Sequence, residues 1–218
     1  MVFGVGGSVR RMTDATDFQD VPTTTLADLL GHEQVLDLGI RSLWGPVSRL
    51  VGPAFTVRCP PGDNLMLHAA IYRAEPGSVL VVESGDVEYA LAGGNVCAVA
   101  QRRGIAGFVV DGVIRDVGEV RAAGFPVFGR GTVPIPGAKK AVLPLNERVR
   151  CGGVAVDAGD VVVADEDGVV VVPGARRAEV LAGALARLVQ EGDESLDEWE
   201  AAHRARVEEL LRAGGFEG

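Results

Sequence analysis

An arginine and an aspartate stand side by side after a buried apolar run of strand length. Arg115 and Asp116 follow the residues GFVV at 107–110. An aspartate carboxylate can bind Mg²⁺, with water or substrate filling the other positions. An arginine guanidinium can hold a carboxylate or enolate oxygen through its planar fork. The simpler alternative is a local ion pair in which Asp116 caps the helix that starts beside it. The pair itself leaves both interpretations open.

A glycine-rich turn upstream could supply the other half of such a site. The residues GGN at 93–95 precede a segment with helical character, and backbone N–H groups at a helix N-terminus bind anions readily. The amides of Asn95 and Val96 could therefore hold the carboxylate of a 2-oxo acid such as pyruvate. Together with Arg115 and a Mg²⁺ ion on Asp116, they would stabilise its enolate. None of the three signals is specific by itself.

The elements that would position these residues alternate between strands and helices up to about residue 130. Apolar runs of strand length alternate with helical segments that stop at glycine. Ligands of α/β folds bind beyond the carboxyl ends of strands, where the Arg-Asp pair stands. From about residue 142 to 173, Val-rich runs separated by Gly-Asp and Asp-Gly predict hairpins. Helices are predicted over about 175–190 and 193–213. The pattern indicates α/β layers around one core.

The composition excludes several classes of protein. The chain has 218 residues, of which 47% are hydrophobic and 23% charged, which suits one sizeable folded domain. Its formal charge is -9 and it has no run of Lys or Arg, so we do not expect a nucleic-acid partner. No stretch approaches the length of a membrane-spanning helix, so we expect a soluble, cytoplasmic protein. Three scattered cysteines suit neither a disulfide framework nor a zinc site.

Both ends of the chain carry features with two interpretations. Residues 1–21 are interpreted as an N-terminal arm, and the stretch GVGGSVR within it follows no strand that would make it a phosphate loop. The last helix, within the C-terminal segment 174–218, places Trp199 and several leucines on one side. That arrangement predicts either a solvated helix that packs through one stripe or a contact between subunits.

The residues described so far resemble a known family. The segments PGDNLMLHAAI, PGSVLVV, RGIAGFVVDGVIRDV, GFPVFGRG and AGDVVVADEDGVVVVP fit it, and the resemblance runs from about residue 22 to 190. The family contains the metal-dependent 4-hydroxy-4-methyl-2-oxoglutarate / 4-carboxy-4-hydroxy-2-oxoadipate aldolases and the regulator of ribonuclease E activity A. The resemblance implies a single layered α/β/β domain with a swivelling β/β/α core. It also implies a homotrimer, or a homohexamer built as a dimer of trimers, with sites at subunit interfaces.

The family signature is an acid, twenty intervening residues and then Arg-Asp, and Arg115 and Asp116 match its last two places. The resemblance makes Asp116 the ligand of Mg²⁺ (or Mn²⁺) and Arg115 the residue that stabilises the enolate. It assigns the substrate carboxylate to the backbone amides of Asn95 and Val96. The place of the acid is occupied by Gly94. The carboxylate that supports proton transfer in the aldolases is therefore missing from its usual position.

The resemblance matches three further positions outside the signature. Asp28 falls at a catalytic carboxylate position on the first helix, and Glu191 falls where a neighbouring subunit donates an acidic residue to the site. Lys139 aligns loosely with a lysine close to the site. The acids that could replace the one missing at position 94 are Asp111, Glu88 and Glu33.

Two functions of different classes follow as expectations. The first is a divalent-metal-dependent lyase that acts on a 2-oxo acid through a pyruvate enolate, by aldol cleavage, by oxaloacetate decarboxylation, or by both. Aldol cleavage needs a base for the C4 hydroxyl and decarboxylation does not, so Gly94 should penalise aldol cleavage more. The second is a non-catalytic binding or regulatory protein that keeps the fold after losing the acid. A methyltransferase is the weakest candidate, because no Gly-rich nucleoside-binding turn follows a first strand.

Overall fold

The computed structural model describes residues 14–193 and 195–216. The GVGGSVR stretch of the predicted arm lies outside the described residues. The helices are α1 (Thr23–Leu30), α2 (Leu65–Ala70), α3 (Gly94–Arg102), α4 (Val117–Ala122), α5 (Arg177–Asp193) and α6 (Leu196–Ala213). The strands are β1 (Arg41–Ser42), β2 (Leu50–Arg58), β3 (Val79–Ala90), β4 (Gly107–Ile114), β5 (Val127–Gly129), β6 (Gly131–Thr132), β7 (Val149–Cys151), β8 (Val154–Val156), β9 (Val161–Asp165) and β10 (Gly168–Val172).

One mixed sheet of eight strands organises the described chain. Its order is β1-β5-β4-β3-β2-β9-β10, with β6 beside the end of β4. The strands β2, β3, β4 and β5 run parallel to one another, as the predicted alternation of strands and helices requires. The hairpin β9–β10 joins this set antiparallel to β2, and β7–β8 forms a separate hairpin. The Val-rich hairpins expected after residue 142 are therefore confirmed.

Apolar side chains cover both faces of the central strands, because a parallel sheet buries both of its faces. Phe108 and Val110 of β4 pack on one face with residues of α2, α3 and α4. Val109, between them, points to the other face and packs with Cys151 and other residues of the β7–β8 hairpin. Helices, sheet and hairpin thus form successive layers. The predicted α/β/β fold is confirmed.

Helices α1 and α5 cover the β9–β10 end of the sheet. Leu26 of α1 and Ala184 of α5 are buried there. Asp165 at the end of β9 fixes the start of α1, because Thr23 donates to it from its backbone amide at 3.2 Å and from its hydroxyl at 2.6 Å. Phe18 is fully buried in the same cluster. The described part of the predicted N-terminal arm therefore belongs to the core.

The last helix differs from the others because none of its residues is buried. It begins with a capping box, in which Ser195 and Glu198 satisfy each other's backbone amides. Across the described ranges, no helix combines the length and the apolar character that crossing a membrane would need.

Candidate functional site

The turn between β4 and α4 carries the Arg-Asp pair. Asp116 has a left-handed backbone with φ of 56°, a conformation that aspartate adopts more readily than most residues. Its side chain makes no capping hydrogen bond to α4. Instead, its Oδ2 accepts a hydrogen bond from the amide of Gly94 at 3.1 Å. The interpretation of Asp116 as the cap of its own helix is therefore wrong, because the carboxylate meets the N-terminus of α3.

The glycine turn belongs to the same site. Gly93 precedes α3, and a Cβ atom added to it would collide with the Asp116 carboxylate. The same atom would lie 2.9 Å from Cγ and 3.0 Å from Nε of Arg115. Gly93 has an extended backbone with φ of -148°, which any residue can adopt. Glycine is needed here because its lack of a side chain lets Arg115 and Asp116 come close to the backbone. The amide of Arg115 also donates to the carbonyl of Ala92 at 2.9 Å, which fastens the two turns together.

Two backbone amides remain available at this helix end. The amide of Gly94 is used by Asp116, and that of Cys97 donates to the carbonyl of Gly93 at 3.0 Å. Within the described chain, the amides of Asn95 and Val96 have no hydrogen-bond acceptor. They lie in the first turn of α3, where the helix dipole favours negative charge. The structure therefore brings both of these sequence-predicted residues beside Asp116.

The site is open to solvent on one side and apolar behind. The Nε atom of Arg115 lies 3.5 Å from Oδ2 of Asp116, with side-chain exposures of 41% and 40%. Cys97 lies behind them in the core, where burial and the nearby charge of Asp116 raise the pKa of its thiol to about 12. A thiol with that pKa stays protonated near neutral pH and is a poor nucleophile. The chemistry of this site therefore rests on its carboxylates, guanidinium and amides.

The carboxylate that lies against Gly94 belongs to Glu119, which was not among the acids named from sequence. A Cβ atom added to Gly94 would collide with Oε2 of Glu119 and lie 3.1 Å from its Cδ. The Glu119 carboxylate therefore occupies the space that a side chain at position 94 would need. The spacing between Asp116 and Glu119 could have indicated this position from the sequence. A residue three places after Asp116 lies on the same face of a helix that begins at Asp116. The site thus contains two carboxylates, from Asp116 and Glu119.

The replacement acids named from sequence have other places in the structure. Asp111 accepts from Nε of Arg130 at 2.5 Å and from the amide of Gly152 at 2.9 Å. It joins β4 to the β7–β8 hairpin and is committed to that contact. Glu33 lies in a short 3-10 helix after α1, and Glu88 lies exposed near the end of β3. In the described structure neither makes a hydrogen bond or ion pair with the Arg-Asp pair.

Asp28 and Glu191 share one partner, Arg187, and lie on helices away from the Arg-Asp pair of their own chain. Arg187 bridges them, with Nη2 at 2.5 Å from Asp28 Oδ2 and Nε at 2.7 Å from Glu191 Oε1. The Glu191 hydrogen bond and the charge of Asp28 raise the pKa of Arg187. The helices that carry these residues pack at the β9–β10 end, with β2 and β3 between that end and β4.

Lys139 lies on a loop that runs beside the segment leading to the glycine turn. Asp63 holds this loop by accepting from the amides at positions 140 and 141, at 2.6 and 3.1 Å. The carbonyl of Ala90, three residues before Gly93, accepts from the amide of Gly137 at 3.0 Å. Burial and the charge of Lys139 lower the pKa of His68 nearby. The loop that carries Lys139 thus contacts the end of β3, and among the described residues Lys139 forms no ion pair with Asp116.

The chain and its fold match one family of proteins. Residues 17–171 match the family model described as RraA-like, Aldolase/RraA. The chain belongs to the RraA-like family. A relative from Halalkalibacterium halodurans, named "Putative 4-hydroxy-4-methyl-2-oxoglutarate aldolase", is 42% identical over 167 residues, or 76% of this chain and 79% of the relative.

Solved structures in the family superpose on the same domain. The RNA-processing inhibitor RraA from Thermus thermophilus is 31% identical, with a TM-score of 0.64 over 71% of this chain and 93% of that one. RraAS2 from Streptomyces coelicolor, described as an unusual member of the RNase ES inhibitor RraA protein family, is also 31% identical. Its TM-score is 0.70 over 88% of this chain and 96% of that one. The family thus contains proteins named as aldolases and proteins named as ribonuclease inhibitors.

The donor set of the site suits a hard divalent cation. The Asp116 carboxylate offers only oxygen atoms, which Mg²⁺ prefers. No group of three or more His, Cys, Asp or Glu side chains that could hold a metal occurs among the described residues. Mg²⁺ is commonly bound through one or two carboxylates, with water and substrate completing its shell. The residues present therefore fit Mg²⁺ or Mn²⁺, and they do not fit a closed zinc site.

Proposed function

We propose that the protein is a divalent-metal-dependent carbon–carbon lyase that acts on a 2-oxo acid through a pyruvate enolate. The observation that carries the proposal is the Asp116 carboxylate at the N-terminus of α3, beside the guanidinium of Arg115 and two amides that have no acceptor among the described residues. The names of the curated relatives support a lyase of the aldolase type. Bound Mg²⁺ or Mn²⁺ would supply Lewis-acid stabilisation of the enolate.

The backbone and Arg115 would bind and orient the substrate. The amides of Asn95 and Val96 would donate to its carboxylate, since they lie in the first turn of α3 and have no acceptor within the described chain. Arg115 would donate to the oxygen on C2, where negative charge develops as the enolate forms. Fixed donors aimed at developing charge commonly give the largest single contribution to catalysis. Gly93 permits this arrangement, because any side chain there would displace Arg115 and Asp116.

Glu119 would supply the proton transfer that aldol cleavage requires. Its carboxylate lies against Gly94, the residue whose amide donates to Asp116, and Glu119 is exposed. A carboxylate at this place can accept the proton of the C4 hydroxyl, directly or through a water. Replacement of the signature acid by glycine therefore need not remove the function, because a side chain from α4 fills the same space. This favours an enzyme over a binding protein that has lost catalysis.

Assembly would complete the site. Asp28 and Glu191 lie at the other end of the sheet, so within one chain they do not reach Arg115. In a homotrimer or homohexamer, a neighbouring subunit would bring this acidic pair to the open side of the site. Cyclic closure by one repeated contact is compatible with a trimer. Light scattering at micromolar concentration should give a mass of at least three chains, and a monomer would remove Asp28 and Glu191 from the mechanism.

The test is pyruvate release from two substrates, with Mg²⁺ and with EDTA. We expect release from 4-hydroxy-4-methyl-2-oxoglutarate and from oxaloacetate, both abolished by EDTA and by Asp116→Ala. Glu119→Gln should lower the kcat of aldol cleavage about 10²–10⁴-fold and affect decarboxylation less. Glu88→Gln, which removes an exposed acid near the end of β3, is the matched control and should leave both rates unchanged. Full activity in EDTA would exclude the metal, and inactivity on both substrates would favour a binding protein.

A further inference from the structure

A cavity at the β1 edge of the sheet has no role in the proposed reaction. Its volume is about 440 Å³, which lies within the range of pockets that hold small molecules. It opens where β5 ends, beside β1 and β6, and its polar lining is Arg41, Ser42, Trp44, Arg130 and Thr132. Ligands of α/β folds bind beyond the carboxyl ends of strands. The position of this β1-edge cavity is therefore that of a ligand site.

The β1-edge cavity and the Arg-Asp pair lie on opposite sides of β4. The order of the sheet places β5 and β1 on one side of β4 and β3 on the other. Arg115 and Asp116 lie against Gly93, in the turn that follows β3. The cavity is bounded instead by β6, whose Thr132 pairs with Ile114 at the end of β4. A molecule in this cavity would therefore be separate from one bound at Asp116.

Arg130 forms a fixed wall of the β1-edge cavity. Its Nε donates to Asp111, and its two terminal nitrogens donate to Asp37 at 3.1 and 2.7 Å. The hydrogen bonds to these two acids raise the pKa of Arg130, so its guanidinium stays charged. Neither acid lines the cavity, and among the described residues no other Asp or Glu lines it. The charge of Arg130 is therefore balanced by acids that lie outside the cavity wall.

Arg41 adds a positive charge that is not balanced in this way. It is exposed, and within the described chain it has no ion pair or hydrogen bond. Its planar fork matches two oxygens of a carboxylate or a phosphate. The hydroxyls of Ser42 and Thr132 likewise have no hydrogen-bond partner among the described residues. The lining therefore offers a charge and several donors to an anion, in a chain whose formal charge is -9.

We infer that the β1-edge cavity binds a small anion, whose carboxylate or phosphate group is held by Arg41, Ser42 and Thr132. Trp44 closes one wall, since it packs against the core and also lines the cavity. Carboxylates and phosphates both present two oxygens to a guanidinium, so either group satisfies this chemistry. The binding needs no metal, and it does not depend on the proposed reaction.

The first test is calorimetry in EDTA, which removes the metal of the proposed reaction from the measurement. Malonate and inorganic phosphate are titrated separately into the full-length protein, at an ionic strength held constant with chloride. At least one should bind, and the tighter of the two identifies the ligand as a carboxylate or a phosphate. Arg41→Gln should raise its dissociation constant about 10-fold or more. Arg102→Gln is the matched control, because Arg102 is exposed at the end of α3, away from the cavity lining.

The second test locates the bound anion. The chain has two tryptophans, so Trp199→Phe leaves Trp44 as the only one, and its fluorescence should change as the anion binds. Arg115→Gln should leave this binding intact, because Arg115 belongs to the separate site at Asp116.

Three results would overturn the inference. The first is binding that is lost in Arg115→Gln and kept in Arg41→Gln, which would place the anion at the proposed active site. The second is equal weakening by Arg41→Gln and Arg102→Gln, which would indicate a general effect of charge. The third is that neither malonate nor phosphate binds at millimolar concentration, with wild-type protein that is folded.

Discussion

Substitution of Gly94 by alanine tests whether the space beside α3 belongs to Glu119. Gly94 opens α3 with an ordinary helical backbone, so alanine causes no strain in the chain. The added Cβ would meet the Glu119 carboxylate, which is the far end of an exposed and flexible side chain. The carboxylate of Glu119 can swing away, and its Cβ, 3.3 Å from the added atom, needs to shift by only a few tenths of an ångström. We therefore expect Gly94→Ala to fold normally and to lose activity because it displaces the catalytic carboxylate.

The magnitude follows from the role of Glu119 as a proton acceptor. Loss of such a group costs about 10²–10⁴-fold in rate, so Glu119→Gln and Gly94→Ala should each lower the kcat of aldol cleavage about 100-fold. Each loss corresponds to about 2.7 kcal/mol of activation free energy. Because both changes remove the same carboxylate, the double variant should also be slowed by about 100-fold. Independent effects would multiply to about 10⁴-fold.

The assay is steady-state pyruvate release at saturating Mg²⁺, with thermal unfolding measured on the same samples. Gly118→Ala is the matched control, because a Cβ added there meets nothing within 4 Å. It should retain wild-type kcat and unfolding temperature. Full activity in Gly94→Ala, or multiplicative losses in the double variant, would refute the assignment of Glu119 to this space.

Three other predictions concern residues that support the site or the fold around it. Gly93→Ala should abolish activity more completely than Gly94→Ala, and it should weaken Mg²⁺ binding measured by calorimetry. The new Cβ would lie 2.9 Å from the Cγ of Arg115, and this atom cannot swing away as the end of a side chain can. Asp111→Asn should lower the free energy of unfolding in urea by about 2 kcal/mol, because it removes a charged hydrogen bond to Arg130. The Mg²⁺ affinity should not change, and a lower affinity would mean that Asp111 contributes to the site. The hydrogen bond from Arg130 lowers the pKa of Asp37 in the folded protein. The ionised Asp37 therefore stabilises the fold above the unfolded pKa of 3.8, and this stabilisation is lost as the pH falls through the lower pKa of the folded state. Asp37→Asn should therefore flatten the decline of stability below about pH 4, and identical acid unfolding curves would contradict this.

Much of the fold could be predicted from the sequence because its signals are local. The Val-rich runs specify the β7–β8 hairpin around Gly152-Gly153 and the β9–β10 hairpin around Asp167-Gly168 through turn chemistry. The layered arrangement also follows, since strands that are apolar on both faces need cover on each side. The order of the sheet depends on long-range pairing, such as that of β2 with β9. No local sequence pattern predicts that β9 is the strand that pairs with β2.

The site was predicted in part, and the limits have physical causes. The proximity of Arg115, Asp116 and the glycine turn followed from the position of a strand end beside a helix start. The capping interpretation was wrong because the left-handed backbone of Asp116 turns its carboxylate from α4 to α3. Glu119 was missed because the replacement acids named from sequence were Asp111, Glu88 and Glu33, whereas a side chain on α4 fills the space beside Gly94.

The measurement that tests the central claim most directly is exchange of the pyruvate methyl protons with deuterium, followed by proton NMR in D₂O. Reversible enolate formation replaces these protons whichever aldol substrate the enzyme uses. The proposed site predicts exchange well above the buffer rate with wild-type protein and Mg²⁺, and exchange at the buffer rate with EDTA or with Asp116→Ala. The contradicting result is exchange no faster than in buffer, measured with folded and fully assembled wild-type protein in the presence of Mg²⁺. That result would exclude an enolate-forming site at Arg115 and Asp116.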